Sequence, residues 1–233
     1  MSYVHAVEHG RPASLDVYAA LADALGLEPT FDLIDPRRRN AMSRAEDPVH
    51  AAMGEALAER LTSFGFEVAL DEPYQHYQFA GRADVVAWSV PDRALLHAEN
   101  RTRFPNLQEA FGSYNAKRRY LPAIVAERAG LRRGWASVTN VVVALWSSEV
   151  LHAMRLHPAS FRATCPDAPD AFDAWWAGQP IERGVSSTIV LFDPVGGGRS
   201  DRRRFIGFAS VDGARGRYRD YADAFEAIRA ARS

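Results

Sequence analysis

Apolar positions recur at helical spacing near both ends of the chain and change to alternating or unbroken runs between them. Ser14 precedes Leu15, Tyr18, Leu21, Ala22 and Leu25, a pattern that predicts a helix capped by Ser14 and stopped by Gly26. A shorter helical stretch, Tyr3 to Glu8, comes before it and ends at His9-Gly10-Arg11-Pro12. Residues 28–46 carry Pro29, Pro36 and the run Arg37-Arg38-Arg39 with little periodicity, and they read as a linker. From Asp47 and Pro48 a further helix begins, its stripe being Val49, Met53, Ala56, Leu57, Leu61 and Phe64, and Gly65 ends it.

The pattern then turns extended. Strands are predicted at Phe66–Leu70, Gly81–Val90 and Ala94–Arg103, the last two joined by the turn dipeptide Pro91-Asp92. Asn106 to Gly130 reads as a long helix that Pro122 should kink or split. Ser137–Trp146 is nearly all β-branched, as in a strand covered on both faces. Helices are expected over 148–163, 170–177 and 220–231, with strands at Thr188–Phe192 and Phe205–Ser210 around the Gly196-Gly197-Gly198 loop. The expected organisation is therefore an N-terminal helical segment over 1–27, a linker over 28–46, and an α/β (α+β) domain over 47–233.

Composition narrows the possibilities only in places. At 47% hydrophobic and 24% charged, the 233-residue chain suits a globular fold with one sizeable core. A net charge of −1 supplies no global attraction to nucleic acid, so any such contact must come from local patches. Cys165 is the single cysteine, which rules out an internal disulfide and a cysteine metal cage and fits a reducing, cytoplasmic setting. No run approaches the roughly 18 apolar residues of a membrane span, so no membrane partner is expected. Lysine occurs once, at Lys117, where it reads as an ordinary surface residue.

Two strands hold the chemistry. Gly81-Arg82-Ala83-Asp84-Val85-Val86-Ala87-Trp88 buries an acid in an apolar run, and Leu96-His97-Ala98-Glu99-Asn100-Arg101-Thr102 does so again. Side chains two apart on a strand share a face, so His97, Glu99 and Arg101 project together. A two-residue loop at Pro91-Asp92 places Asp84 opposite Glu99 and Arg82 opposite Arg101, and a slip of one residue would separate the carboxylates. Phosphodiester hydrolysis needs hard oxygen ligands for Mg²⁺ or Mn²⁺ and a cation beside the reacting phosphate. The same four residues would equally make a cross-strand ion-pair quartet. Gln108, Glu109 and Lys117 on the following helix would bring more polar groups to that edge.

The order helix, three strands, helix, strand, with these motifs, resembles the PD-(D/E)xK nuclease superfamily and its restriction-endonuclease-like αβββαβ core. More narrowly, Glu99-Asn100-Arg101-Thr102, Asn106-Leu107-Gln108-Glu109, Lys117 and His157-Pro158-Ala159-Ser160-Phe161-Arg162-Ala163 resemble actinobacterial proteins that place such a domain after a phage-repressor-like helix-turn-helix. The resemblance implies Asp84 and Glu99 as metal ligands, the Asn100 carbonyl as a third, and Glu55 as an outer acid whose rival reading is a solvated helix face. Gln108 would orient water or contact phosphate. The family carries lysine where this chain has Arg101, which separates fold from activity; Lys117 on the neighbouring helix would be the substitute for that lysine, with an ordinary surface lysine as the rival reading.

Val4 to Pro12 and Ser14 to Leu27, with Leu21-Ala22-Asp23-Ala24-Leu25-Gly26, resemble the second half of that helix-turn-helix, so Met1 is expected to fall inside the motif. Ser2, Tyr3, His5 and Arg11 are then candidate DNA contacts, and Arg37, Arg38 and Arg39 candidate phosphate contacts or a solvated linker run. The remaining candidates are bland. The seven histidines lack zinc spacing, the triple-glycine loop lacks a phosphate-loop ending, and Trp175-Trp176 reads as a core edge. The resulting expectation is a DNA-binding regulator, with DNA and a second copy of the chain as partners, fused to a nuclease-like domain. That domain is either a Mg²⁺-dependent endonuclease, a non-catalytic DNA-contacting or oligomerising module, or a protein-interaction domain.

Overall fold

A computed structural model describes residues 5, 7, 13–26, 47–76, 79–195 and 205–231. Contacts divide the chain into two compact units, Met1–Ser43 and Arg44–Ser233. In the first, helix α1 spans Leu15–Ala24 as its spacing predicts, and Gly26 follows with a left-handed φ of 67°. Ser14 takes the N-cap backbone conformation, but its side chain makes no capping bond. No residue of α1 is buried. The predicted linker and the triple-glycine loop lie outside the described residues.

The second unit is a mixed α/β structure built on one six-stranded sheet. Helix α2 (Pro48–Thr62) is followed by β1 (Glu67–His76), β2 (Phe79–Ser89) and β3 (Ala94–Arg101). Then come α3 (Leu107–Arg128), β4 (Ser137–Leu145), α4 (Ser148–Leu156), α5 (Pro158–Thr164) and α6 (Asp170–Trp176). Strands β5 (Gly184–Phe192) and β6 (Phe205–Gly207), a short 3₁₀ turn (Phe208–Ser210) and α7 (Tyr221–Ala231) complete it. The strands lie side by side in sequence order. The β3–β4 and β4–β5 pairs are parallel, and the others antiparallel. Parallel neighbours need crossovers, which α3 and the helices between β4 and β5 supply.

Both faces of the sheet are covered. Val49, Met53, Leu57 and Leu61 of α2 join Phe172 and Trp175 of α6 and Ile228 of α7 over Val85, Ala87, Leu96 and Ala98. On the other face, Phe111 and Tyr114 of α3 meet Val150, Leu151 and Met154 of α4 and Phe161 of α5. Trp175 is thus a core residue, against Phe66 at 4.7 Å between ring centroids. Every residue of β4 is buried, as its β-branched run predicts.

Some boundaries differ from the sequence pattern for local reasons. β1 continues past Leu70 through Pro73 because it is an edge strand, where a missing N–H breaks no ladder. The expected 148–163 helix divides at His157-Pro158, which ends one helix and starts the next. Conversely, α3 runs through Pro122 as one element. Leu121 and Val125 on either side of the proline are fully buried, and the Trp135 indole N–H donates to the Pro122 carbonyl at 2.9 Å. Tertiary packing outweighs the local defect.

Candidate functional site

The hairpin register carries the site. The turn after β2 closes with the Arg93 N–H donating to the Val90 carbonyl at 3.2 Å, and the ladder runs from Ser89↔Ala94 to Val85↔Ala98. That register puts Asp84 across from Glu99, as the Pro91-Asp92 loop predicts. At this point side chains take over the bonding between strands. The Asn100 N–H donates to Asp84 Oδ2 at 2.8 Å, and the Asp84 N–H donates to Glu99 Oε1 at 3.4 Å. Both carboxylates lie in the seam between β2 and β3, buried, with Glu99 0% exposed.

Basic side chains converge on them from three elements. Arg101, on the same face of β3 as Glu99, donates through Nη2 to Glu99 Oε2 at 3.1 Å and lies 3.7 Å from Asp84 Oδ2 through Nη1. The Lys117 ammonium, from α3, meets Glu99 Oε2 at 2.5 Å. From α2, His50 Nε2 stands 3.5 Å from Asp84 Oδ2. Lys117 is only 2% exposed, so the surface reading of this lysine is wrong. Its place in the stripe Phe111, Tyr114, Lys117, Leu121 and Val125 explains the burial: those positions form one face of α3, and that face lies on the sheet.

His97 adds a second layer. Its Nε2 is 3.1 Å from Glu99 Oε1 and its Nδ1 is 3.3 Å from Asn140 Oδ1. The Asn140 amide is oriented by donating through Nδ2 to the Ser186 carbonyl at 3.1 Å. Asn140 escaped the sequence reading because only the parallel β3–β4 register, His97↔Asn140, brings it there. His50 was also missed, and its one available signal was the step to Met53 along the buried stripe of α2.

Burial and charge oppose one another at Glu99. Desolvation pushes its pKa up, but the His97 hydrogen bond and the charges of Lys117, His97 and Arg101 prevail. The carboxyl is held well below the usual range. Lys117 moves the other way, because desolvation lowers its pKa more than Glu99 and Asp84 raise it.

The remaining candidates are dispersed. Glu55 is exposed on α2, whereas Gly54 beside it lets the helix approach Asn100, whose Nδ2 would lie 3.4 Å from an added Cβ. The Asn100 side-chain amide is buried there without a hydrogen-bond partner among the described residues. Gln108 is exposed in the first turn of α3, and the N-cap is supplied by Asn106, whose side chain accepts from the Glu109 N–H at 3.1 Å. His5 is helical and half-buried, while Ser2, Tyr3, Arg11, Arg37, Arg38 and Arg39 lie outside the described residues.

The donor atoms expected to hold Mg²⁺ or Mn²⁺ do not fit an ion as they stand. Glu99 Oε2 receives Lys117 and Arg101, Asp84 Oδ2 receives the Asn100 N–H, and the Asn100 carbonyl accepts Arg101 Nη1 at 3.0 Å. Among the described residues no group of three or more His, Cys, Asp or Glu side chains is disposed to hold a metal. No helix there is long and apolar enough to cross a membrane. No protein-family model matches the chain, and no curated protein sequence matches it.

Proposed function

We propose that this chain is a DNA-binding regulatory protein whose larger unit uses a restriction-endonuclease-like fold without hydrolysing DNA. The observation that carries the non-catalytic part is the closure of the Asp84–Glu99 centre. Both acids are buried, and both are answered by the chain's own cations. A phosphate has no open carboxylate–metal centre to approach. Support for the fold comes from the α2-β1-β2-β3-α3-β4 order, which matches the αβββαβ sequence of that core. Support for DNA binding comes from the resemblance of residues 4–27 to half of a phage-repressor helix-turn-helix. Regulators of that kind read two half-sites as dimers, so a second copy of the chain belongs to the proposal.

A second reading, a Mg²⁺-dependent endonuclease, is favoured by one observation. Asp84, Glu99 and Lys117 form the acid–acid–lysine set of such a nuclease, with the lysine brought in from α3 instead of β3. A divalent ion in such a centre activates water and neutralises charge on the phosphoryl oxygens.

One experiment separates the readings. The chain is titrated into labelled fragments of its own upstream DNA at two salt concentrations, with and without Mg²⁺ or Mn²⁺, and the DNA is then sized on a gel. Salt-dependent binding with intact DNA is expected. Cleavage that disappears in Asp84→Ala and Glu99→Ala establishes the second reading, and absence of any DNA affinity overturns both.

A further inference from the structure

The three groups from which the sequence builds a metal site meet at a single guanidinium. Arg101 Nη2 donates to Glu99 Oε2 at 3.1 Å, Nη1 donates to the Asn100 carbonyl at 3.0 Å, and Nη1 stands 3.7 Å from Asp84 Oδ2. We propose that Arg101 is the resident cation of this centre, standing where the three oxygen groups would hold a divalent ion and excluding it. The inference rests on the reading of Asp84, Glu99 and Asn100 as counterparts of a nuclease metal set.

Geometry and charge both support it. A hard divalent ion draws carboxylate and carbonyl oxygens onto one point at about 2.0–2.6 Å. Here the same oxygens are spread around a planar fork of donors, each at hydrogen-bond or ion-pair distance. The two negative charges of Asp84 and Glu99 are already met by Arg101 and Lys117, so an added divalent ion would leave excess positive charge in a buried space. Lys117 contacts Glu99 from the α3 side and does not bridge the three groups. The planar fork of an arginine presents several donors at once, so one side chain reaches all three acceptors. Its side chain is 18% exposed, whereas those of Asp84 and Glu99 are 1% and 0% exposed.

This makes the lysine-to-arginine departure from the family motif a replacement of the metal itself. The cation is covalently part of β3, and the centre holds together without uptake of an ion.

The test is Mn²⁺ binding by the full-length chain, measured by calorimetric titration and by the shift in melting temperature. The proteins are the wild type, Arg101→Ala, Arg101→Gln, and each of these variants combined with Asp84→Asn. Wild type should bind no Mn²⁺ at this centre and melt at the same temperature with or without it. The two single variants should bind Mn²⁺ measurably, where wild type does not, and gain melting temperature from it. Adding Asp84→Asn should remove the gain. Should the neutral variants fail to fold, Arg101→Lys keeps a positive charge; its single ammonium cannot bridge all three acceptors, and it is expected to admit Mn²⁺ more weakly. Asp84-dependent Mn²⁺ binding by wild type, as tight as in the variants, overturns the proposal. So does a folded Arg101→Gln or Arg101→Lys protein that binds none. DNA affinity does not enter this measurement, so failure of the regulatory reading and failure of the resident-cation reading are seen separately.

Discussion

Two buried carboxylates in the larger unit are satisfied by opposite means. Glu99, near the end of β3, meets Lys117, Arg101 and His97, of which Lys117 and His97 are themselves buried. Asp193, one residue past β5, meets the Tyr218 hydroxyl, the Val195 N–H at 3.0 Å and the Arg217 guanidinium at 3.2 Å. Of these only Arg217 is a charge, and its side chain is 63% exposed. The first carboxylate depends on an ammonium and an imidazole that have also left water. The second rests on a phenol, a backbone amide and an ion that has not. Deleting a partner therefore strands a buried charge in one place and removes an ordinary hydrogen bond in the other.

The largest effect follows from breaking the first arrangement. Lys117→Ala leaves Glu99 with less cationic support in a site buried from solvent, and a loss of about 3–5 kcal/mol is expected from urea unfolding midpoints. A loss below about 1 kcal/mol would mean that Arg101 and His97 already suffice, and the contrast with Asp193 would lose its basis. The acid dependence should carry the same signature. The folded-state pKa of Glu99 is depressed, so its contribution is complete above the unfolded value of about 4.3 and falls away as pH drops below it. Glu99→Gln should flatten that limb of the melting curve.

How much of this was readable in advance differs between the strands and the helix. The β2–β3 seam was legible, because a turn dipeptide sets register and strand alternation sets the shared face. Asp84, Glu99 and His97 follow from Pro91-Asp92 alone. The helix capping by Asp47 was equally plain: its carboxylate accepts from the Val49 and His50 N–H groups at 3.1 and 2.9 Å. Lys117 was a candidate from the sequence, but its burial was hidden by its residue type. Its spacing from Phe111, Tyr114, Leu121 and Val125 placed it in an apolar stripe, and the general exposure of lysine overruled that spacing. Asn140 could not be read, since a parallel pairing made through a crossover helix leaves no local mark in the sequence.

The middle effect sharpens the Asp193 side. Burial, then the neighbouring carboxylate, push the Tyr218 phenol well above its usual pKa, so it remains a donor at any working pH. Tyr218→Phe keeps the ring and removes one hydrogen bond to a charged acceptor. A loss of about 2 kcal/mol is expected in the same unfolding assay, smaller than for Lys117→Ala. An equal or larger loss would show that Asp193 depends on its phenol as strictly as Glu99 depends on its ammonium.

The smallest effect is the most discriminating. Arg217→Ala removes a cation from Asp193, as Lys117→Ala removes one from Glu99, so a count of ion pairs ranks the two changes alike. Solvation ranks them far apart. The Arg217 head group stays largely hydrated when paired, so its attraction is screened and is offset by the entropy of holding a long side chain in place. Arg217→Ala should shift stability by no more than about 0.5 kcal/mol, and added salt should erase even that. If instead it matched Lys117→Ala, burial of the partner would not be what separates the two carboxylates, and the resident cations around Glu99 would need a different explanation from the one their distances give.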